Sequence, residues 1–549
     1  MKDYKTFLWL LKINKKQAWR VLLLAASNVI LALLSVTFAL VTSRVVDSAI
    51  EGLDLNFWMN AAVLVALGLA QILLHFMNRH LSVNIVTGID IHMKRMLFSD
   101  ILRKDYSSVS VYHSGVLLSR LNDDIRIISD GMSKIMPGIL GSSVRLIAAF
   151  GAVCLMDMRF AMAFLVLGVI AMLFATLLRK KMKQIHRQEQ EATEQASSFM
   201  QESISNLLMI KTFGAEELIG SRADGLQNGR IGAIHRRRRY GALMNLMMNA
   251  AFHGGYIMGA VWCATRIATG VITVGMFSAV LQLIGQIERP LTTISGFVPQ
   301  IATLLGSADR VREILNLPDE NFEEQVSRDC YEKMNAICCR DISFAYDRDV
   351  VLDHADFTLK KGEFAVLGGM SGIGKSTLMK LLLGVYTQKS GEMYIDAEEK
   401  IPVGCATRNL FAYVPQGNFL LSGTLRENVC MMCPDATEEQ IEQALYISDA
   451  LDFVKTLPKG LDTVIGERGV GLSEGQLQRM AIARALLADA PVLLLDECTS
   501  ALDEPTEERV LNNLRSMTDK TCLLISHKKA ALQVCDTVYA IRDGKVTKV

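Results

Sequence analysis

Six long apolar stretches in the N-terminal part of the chain limit what it can fold into. Each contains about 20 mostly apolar residues, which is the length that crosses the hydrocarbon core of a bilayer as an α-helix. These stretches therefore predict membrane-spanning helices. We place the six spans at residues 21–45, 57–77, 135–156, 160–178, 242–264 and 274–297.

The composition fits a chain that lies only partly in a membrane. Of its 549 residues, 50% are hydrophobic and 21% are charged, which is too apolar for an ordinary soluble protein and too charged for one wholly in lipid. A chain of this length exceeds a single core, so we expect a membrane domain joined to a soluble one. The net charge of +1 gives no global field that would attract nucleic acid.

Basic residues in the loops set the predicted orientation. The short loop 47–56 contains acids and no Lys or Arg, whereas loops 79–134 and 179–239 are rich in both. Because basic loops remain inside, the N-terminus and both long loops are predicted to be cytoplasmic, in the plasma (inner) membrane of a bacterium. Residues 1–20 are basic and lack a small-residue cleavage site, which predicts a cytosolic elbow rather than a removed signal peptide.

Some polar side chains within the predicted spans are candidates for function. Ionisable groups at membrane depth are costly and mark functional sites. Gln282 and Gln286 are four residues apart and share a helix face. Our candidates for a polar substrate cavity are Arg145, Gln282, Gln286 and Glu288. The alternative, in which Arg145 and Glu288 pair with each other or with neighbouring helices and have only a structural role, is equally consistent with the sequence.

The C-terminal part of the chain alternates strand-like and helix-like segments after an acidic linker marked by Pro318. This alternation predicts an α/β domain. We therefore divide the chain into an all-α six-span transmembrane domain at 1–317, a linker at 318–335 and an α/β ATPase domain at 336–549.

A glycine-rich loop in the second domain has the pattern of a P-loop. Residues 369–377 read GMSGIGKST, after the strand-like 363–367 and before the helix-like 378–383. Glycines let backbone N–H groups converge on phosphate oxygens, and the helix N-terminus adds partial positive charge. Lys375 can reach the β- and γ-phosphates, and Ser376 can offer its hydroxyl to Mg²⁺. The predicted ATP-binding residues here are Gly369, Ser371, Gly372, Gly374, Lys375, Ser376 and Thr377.

A buried apolar strand at 491–495 ends in two carboxylates, Asp496 and Glu497. Asp496 is predicted to hold Mg²⁺, and Glu497 to act as the general base that polarises the attacking water. An acidic strand end is common by itself. Downstream of a P-loop, it indicates nucleotide hydrolysis.

Between these motifs, residues 472–476 read LSEGQ, and here the sequence resembles the ATP-binding cassette (ABC) family, whose usual string is Leu-Ser-Gly-Gly-Gln. The resemblance covers essentially the whole chain. It implies that Ser473, Gly475 and Gln476 bind the γ-phosphate of a nucleotide held by an opposite cassette. Glu474 departs from the family pattern, and the sequence leaves open what its negative charge does beside the nucleotide.

The same resemblance implies further roles, position by position. Tyr346 would stack on adenine, and Gln416 would sense Mg²⁺ and water while contacting the membrane domain. Glu467 would lie in an exporter-type loop that touches the coupling helices. Asp503 would belong to a D-loop, residues 500–503, that crosses the dimer interface, and His527 would be the switch histidine that contacts the γ-phosphate. Residues 112–124 and 210–216 resemble the two intracellular loops, each of which ends in a coupling helix.

The resemblance also implies the mechanism. One P-loop and one LSEGQ motif require a second half-transporter, so we expect a dimer that exports a lipid, peptide or amphipathic small molecule by alternating access, with ATP and Mg²⁺ as cofactors. Lys375, Glu497 and His527 are all present, which favours a homodimer over a heterodimer. An importer on the same fold and a membrane-bound regulatory ATPase stay open as alternatives. The six spans argue against a soluble cassette acting on DNA or ribosomes.

Overall fold

The computed structural model describes residues 2–320, 324–346, 349–370, 372–417, 420–466 and 471–549. It separates the chain into two units. The N-terminal unit contains the residues up to Ser99 together with Ser114–Leu315, and the C-terminal unit contains Asp100–His113 together with Asn316–Val549.

The N-terminal unit is entirely helical in the part that the structure describes. Its six long helices have 32 to 53 residues, and each contains one of the six apolar stretches. The helices are α1 (Lys2–Ile13), α2 (Lys15–Glu51), α3 (Leu55–Ile101, whose end lies in the other unit), α5 (Ser114–Ser119), α6 (Ile125–Met156), α7 (Met158–Ser205), α8 (Leu207–Thr212), α9 (Glu216–Ala268) and α10 (Val274–Leu315), with a π-helical turn at Arg120–Asp124.

Three of these segments are long and apolar enough, by length and composition alone, to cross a membrane among the described residues. They are α2, α3 and the continuous run Ser114–Met156, and α7 begins with a shorter apolar run, Met158–Ile170. Helices α2, α6 and α10 pack closely against one another, and α7 packs mainly along α9. Gly141 permits the approach of α6 to α2, because a Cβ atom there would lie 2.9 Å from the Cβ of Asn28.

The C-terminal unit contains a six-stranded sheet in the order β12-β11-β3-β10-β9-β6, in which only β12 is antiparallel to its neighbour, and a four-stranded antiparallel sheet in the order β2-β1-β4-β5. The described strands are β1 (Ala336–Tyr346), β2 (Asp349–Lys360), β3 (Phe364–Gly368), β4 (Ser390–Asp396), β5 (Lys400–Pro402), β6 (Phe411–Val414), β7 (Gly423–Thr424), β8 (Val464–Ile465), β9 (Val492–Asp496), β10 (Thr521–Ile525), β11 (Thr537–Arg542) and β12 (Lys545–Lys548).

Helices cover the parallel sheet and complete its core. Strands β9 and β10 are buried along their whole length, as their continuous apolar sequences require. The eleven cysteines are free thiols. The helices of this unit are α4 (Tyr106–Ser110), α11 (Asp329–Glu332), α12 (Lys375–Leu382), α13 (Leu425–Val429), α14 (Glu438–Ile447), α15 (Leu451–Thr456), α16 (Glu474–Leu487), α17 (Glu504–Arg515) and α18 (Lys529–Val534).

The segment Asp100–His113 packs with the α/β unit, although the sequence assigned it to the membrane domain. The Asp105 backbone N–H donates to the carbonyl of Pro318 at 3.0 Å, and the Lys104 ammonium lies 2.6 Å from Asp319. The ring of Tyr106 meets that of Tyr386 edge-on, with centroids 5.8 Å apart. These contacts come from residues 104–106, shortly before the residues 112–124 that resemble the first intracellular loop, and Tyr112 and His113 of that loop belong to the same unit. These pairings join residues distant in sequence, which a local motif does not reveal.

A buried carboxylate joins the beginning of α6 to the end of α10. Asp124 is 4% exposed and accepts from Arg310 Nε at 3.0 Å, with a second, short contact to Arg310 Nη2 and an ion pair to Arg120. Burial alone would raise the pKa of Asp124. The hydrogen bonds from Arg310 and Ser307 outweigh burial, so the pKa lies below its usual range.

We predict that Asp124→Asn destabilises the protein by about 1–3 kcal/mol. Breaking a fully buried ion pair costs about 3–5 kcal/mol. The cost is lower here because the Arg310 side chain is 44% exposed, so water can solvate its guanidinium after the pair is broken. Thermal unfolding should show a lower Tm than for wild type, and Asp123→Asn, on the exposed neighbour, should show no change. Because the pKa is depressed, the difference should persist from pH 8 to 5 and shrink only in acid. An equal Tm for both variants would contradict the role given to this ion pair.

Candidate functional site

Four loops that carry predicted site residues leave the same edge of the parallel sheet. The P-loop follows β3, His527 follows β10, Glu497 follows β9 and Gln416 follows β6. These four strands are neighbours and run parallel, with Leu367, Ile525 and Asp496 in register. The carboxyl ends of parallel strands form the usual ligand-binding edge of an α/β sheet, so the fold brings these residues together.

The P-loop has the backbone that its glycines make possible. Gly369, Gly372 and Gly374 have φ angles of 130°, 80° and 111°, a region that other residues rarely adopt. At Gly374 a Cβ atom would lie 2.5 Å from Val351 Cγ1, so no side chain fits. Lys375 begins α12, and its ammonium donates to the carbonyls of Gly369 at 2.7 Å and Met370 at 3.0 Å. Ser371 lies outside the described residues.

Asp496 ends β9 with an incomplete set of partners. It is 1% exposed, and its Oδ2 accepts from the hydroxyl of Tyr413 at 3.2 Å. Its Oδ1 is buried and has no hydrogen-bond partner among the described residues. Burial raises its pKa, and a hydrogen bond from Ser376 opposes that rise. The unpartnered carboxylate oxygen of Asp496 and the hydroxyl of Ser376 are hard oxygen ligands of the kind that Mg²⁺ prefers. These two residues therefore fit a bound Mg²⁺.

Glu497 is held in a strained position beside the Asp496 carboxylate. Its φ angle is 48°, which a non-glycine residue adopts at a cost of about 1–3 kcal/mol and which is concentrated at functional sites. Its backbone N–H donates to the carbonyl of Ile525 at 3.2 Å. Its Oε2 accepts from Gln416 Nε2 at 2.6 Å. The structure thus joins two of the predicted catalytic residues directly.

Tyr346 belongs to an aromatic cluster at the end of β1. Its ring meets those of Phe344 and Tyr386 edge-on, with centroids 5.0 and 5.4 Å away, and its hydroxyl lies 3.3 Å from Thr377 Oγ1. Since the ring is 37% exposed, it retains surface for stacking on a base. Tyr386, which also contacts Tyr106 of α4, is not recognisable from the sequence, because an aromatic residue after a short helix has no distinguishing pattern.

The LSEGQ motif forms the start of α16. Ser473 is the N-cap: its Oγ accepts from the backbone N–H of Gln476 at 3.3 Å, while Gln476 Oε1 accepts from the Ser473 N–H at 2.9 Å. Glu474 is exposed in the first turn, where an acidic side chain stabilises the helix dipole. A Cβ atom on Gly475 would lie 3.0 Å from the carbonyl of Ala501, so Gly475 lets α16 approach the D-loop.

Gln478 on α16 holds the D-loop, and sequence analysis missed it because it lies outside the motif. Its Nε2 donates to Ser500 Oγ at 2.9 Å, and its Oε1 accepts from the Ala501 N–H at 3.0 Å. Asp503 precedes α17 on the surface, where a hydrogen bond from Thr506 lowers its pKa. His527 is exposed. Glu467 lies outside the described residues.

The four membrane candidates lie on α6 and α10. Gln286 Nε2 donates to the carbonyl of Ser35 on α2 at 2.7 Å, and its Oε1 has no partner within the part of the chain that is described. Arg145 is half-buried, and its Nε is also without a partner there. No ion pair joins Arg145 to Glu288 in the described ranges. The side chains of Glu288 and Gln282 are half-buried.

The chain belongs to the ABC transporter family. Residues 21–291 match the ABC transporter transmembrane region, and residues 352–500 match the ABC transporter domain. With both regions fused in one chain, it is an ABC exporter-type protein and an ATP-driven transporter.

Its relatives include lipid A-core flippases. The chain is 29% identical to the ATP-dependent lipid A-core flippase of Desulfotalea psychrophila, over 82% of this chain and 79% of that protein. It is 28% identical to that of Photobacterium profundum, over 83% and 78%. Its fold is similar to that of a bacterial Atm1-family ABC exporter with ATP bound, with a TM-score of 0.79, 23% identity and coverage of 98% and 94%.

We predict that Glu497→Gln abolishes ATP turnover and leaves nucleotide binding intact. The amide keeps the size of the side chain but cannot accept a proton from water. Hydrolysis by purified protein should fall by at least about 100-fold, while the Kd for a fluorescent ATP analogue stays within about twofold of wild type.

The matched control is Glu508→Gln, on an exposed carboxylate of α17, which should hydrolyse ATP as wild type does. Brisk turnover by Glu497→Gln would show that another group activates the water.

Proposed function

We propose that this protein is one half of a dimeric exporter that uses ATP to move an anionic membrane lipid from the inner to the outer leaflet of a bacterial plasma membrane. The observation that supports this choice of cargo is the buried Nε of Arg145 on α6, which has no partner among the described residues. Arg289 on α10 adds a second positive charge to the membrane domain.

A buried guanidinium N–H without a partner at membrane depth is costly unless an anion accepts a hydrogen bond from it. A guanidinium presents donors in a planar fork that matches phosphate geometry. The orphaned Oε1 of Gln286, on the same helix as Arg289, adds an acceptor for a headgroup hydroxyl. A phosphorylated lipid offers an acceptor to Arg145 and a donor to Gln286, and the relatives named as lipid A-core flippases support a lipid cargo.

The residues of the cassette have distinct proposed tasks. The P-loop N–H groups and Lys375 bind the phosphates, and Tyr346 stacks on adenine. Ser376 and Asp496 would hold Mg²⁺ together with Gln416; when bound, this ion neutralises phosphate charge during transfer. Glu497, oriented by Gln416 at 2.6 Å, accepts the proton of the attacking water.

Dimerisation completes the nucleotide site. In this proposal the nucleotide of the opposite cassette is contacted by Ser473, Gly475, Gln476 and Asp503. Each of the two nucleotide sites is therefore built from residues of both chains. Because the chain carries Lys375, Glu497 and His527 together, two identical copies suffice, and we propose a homodimer. The N-terminus and the cassette are cytoplasmic, as the basic loops indicate. Closure of the cassettes on ATP then opens the helices outward, and hydrolysis resets them.

Proteoliposomes test the cargo. We expect Arg145→Ala and Arg289→Ala each to weaken stimulation of ATP hydrolysis by phosphatidylglycerol, in vesicles otherwise made of phosphatidylethanolamine. A hydrogen bond to a charged group contributes about 1.5–3 kcal/mol, so the half-maximal lipid concentration should rise about 10- to 100-fold. Arg159→Ala, on an exposed arginine at the start of α7, should behave as wild type.

A leaflet assay tests the direction. Fluorescent phosphatidylglycerol should leave the leaflet on the ATP side, and Glu497→Gln should stop this movement. Movement toward the ATP side would favour an importer. Lipid-stimulated hydrolysis without any movement would favour a regulatory ATPase. Equal stimulation of wild type and both arginine variants would refute an anionic cargo at this pair.

A further inference from the structure

A lysine directly after the switch histidine is anchored in the D-loop of the same chain. The Lys528 ammonium lies 2.8 Å from the carbonyl of Thr499, 3.0 Å from that of Leu502 and 3.1 Å from Glu507 Oε2. An ammonium has three N–H donors and no acceptor. All three donors of Lys528 are therefore used by groups around the D-loop.

The carboxylate in this cluster is deeply buried. Glu507, on α17, is 2% exposed, and its Oε1 accepts from the Thr499 hydroxyl at 2.7 Å. A buried charge is tolerated when it is paired and hydrogen-bonded, and Thr499 and Lys528 provide both. The Lys528 side chain is only 28% exposed, so water would solvate its ammonium only partly if these contacts were broken.

His527 lies between two fixed residues. Before it, Ser526 is 6% exposed at the end of β10 and its Oγ accepts from the Lys528 N–H at 3.2 Å. After it, Lys528 is anchored as described. On the other side of the D-loop, Gln478 of α16 bonds to Ser500 and Ala501. The D-loop is thus held between the helix of the LSEGQ motif and the strand that presents His527.

We propose that Lys528, supported by Glu507, is a positioning residue for ATP hydrolysis: it fixes the His527 imidazole relative to the D-loop of the same chain. A D-loop displaced by the opposite cassette then displaces His527 through Lys528. This inference rests on the proposed role of His527. Lys528 and Glu507 do not contact the nucleotide in this proposal. Substituting either residue should therefore change kcat more than KM.

The test is steady-state ATP hydrolysis by the purified full-length protein in lipid nanodiscs. Lys528→Met should lower kcat about 10- to 100-fold, the effect of a small misplacement at a reacting centre, with KM for ATP within about twofold. Lys528→Arg should recover most of the activity. Lys529→Met, the same change on the exposed next residue, should match wild type.

Two further variants keep the result decisive. Lys528→Met leaves Glu507 as an unpaired buried charge, so Glu507→Gln/Lys528→Met removes that charge and should fold with a Tm near wild type. Its kcat should remain low, because the contacts to the two carbonyls are still missing. Recovery of wild-type kcat in this double variant would overturn the proposal.

A double-mutant cycle separates positioning from a general structural effect. In a His527→Ala background, Lys528→Met should lower kcat by less than a further twofold, because the residue through which it acts is gone. Independent, multiplicative losses would overturn the proposal while leaving the role of His527 intact. Wild-type turnover by His527→Ala alone would instead refute the proposed role of that histidine.

Discussion

The parallel pairing of β3, β10, β9 and β6 is the constraint on which the nucleotide site depends. Register fixes which residues end each strand, so Leu367, Ile525 and Asp496 stand side by side at one edge. The loops that leave this edge carry Lys375, His527, Glu497 and Gln416. Strands buried along their length, such as β9 and β10, lie in a close-packed core, where a shift of one residue would leave cavities and clashes on both faces. The hydrophobic core therefore also sets the geometry of the candidate site.

Much of this site could be predicted from the sequence, because its motifs need particular residue types locally. The positive φ angles at Gly369, Gly372 and Gly374 are those that the glycine pattern requires. The helix start at Ser473 follows from a Ser and a Gln three residues apart. Contacts between distant residues could not be predicted in this way. The bond from Gln416 to Glu497 spans 81 residues, and Gln478 reaches the D-loop from beyond its motif.

The membrane part shows the same division between local and distant information. Apolarity over about 20 residues indicates a span, and each of the six stretches lies in a long helix. The helices extend well past the apolar stretches, to 53 residues in α9, because hydropathy marks only the part of a helix that can lie in the hydrocarbon core. The grouping of Asp100–His113 with the cassette depends on Lys104 meeting Asp319 and on Tyr106 meeting Tyr386. Neither pair has a spacing that the sequence displays.

The aromatic contacts give a physical reason why binding of a nucleotide matters to α4. Tyr386 touches Tyr346, where we propose that adenine stacks, and it also touches Tyr106 of α4. Aromatic rings in edge-on contact resist sliding, because packed interfaces have few alternative arrangements of equal energy. A base that stacks on Tyr346 restricts that ring, which restricts Tyr386 and then the start of α4. The three tyrosines therefore connect the end of β1 to α4 within the C-terminal unit.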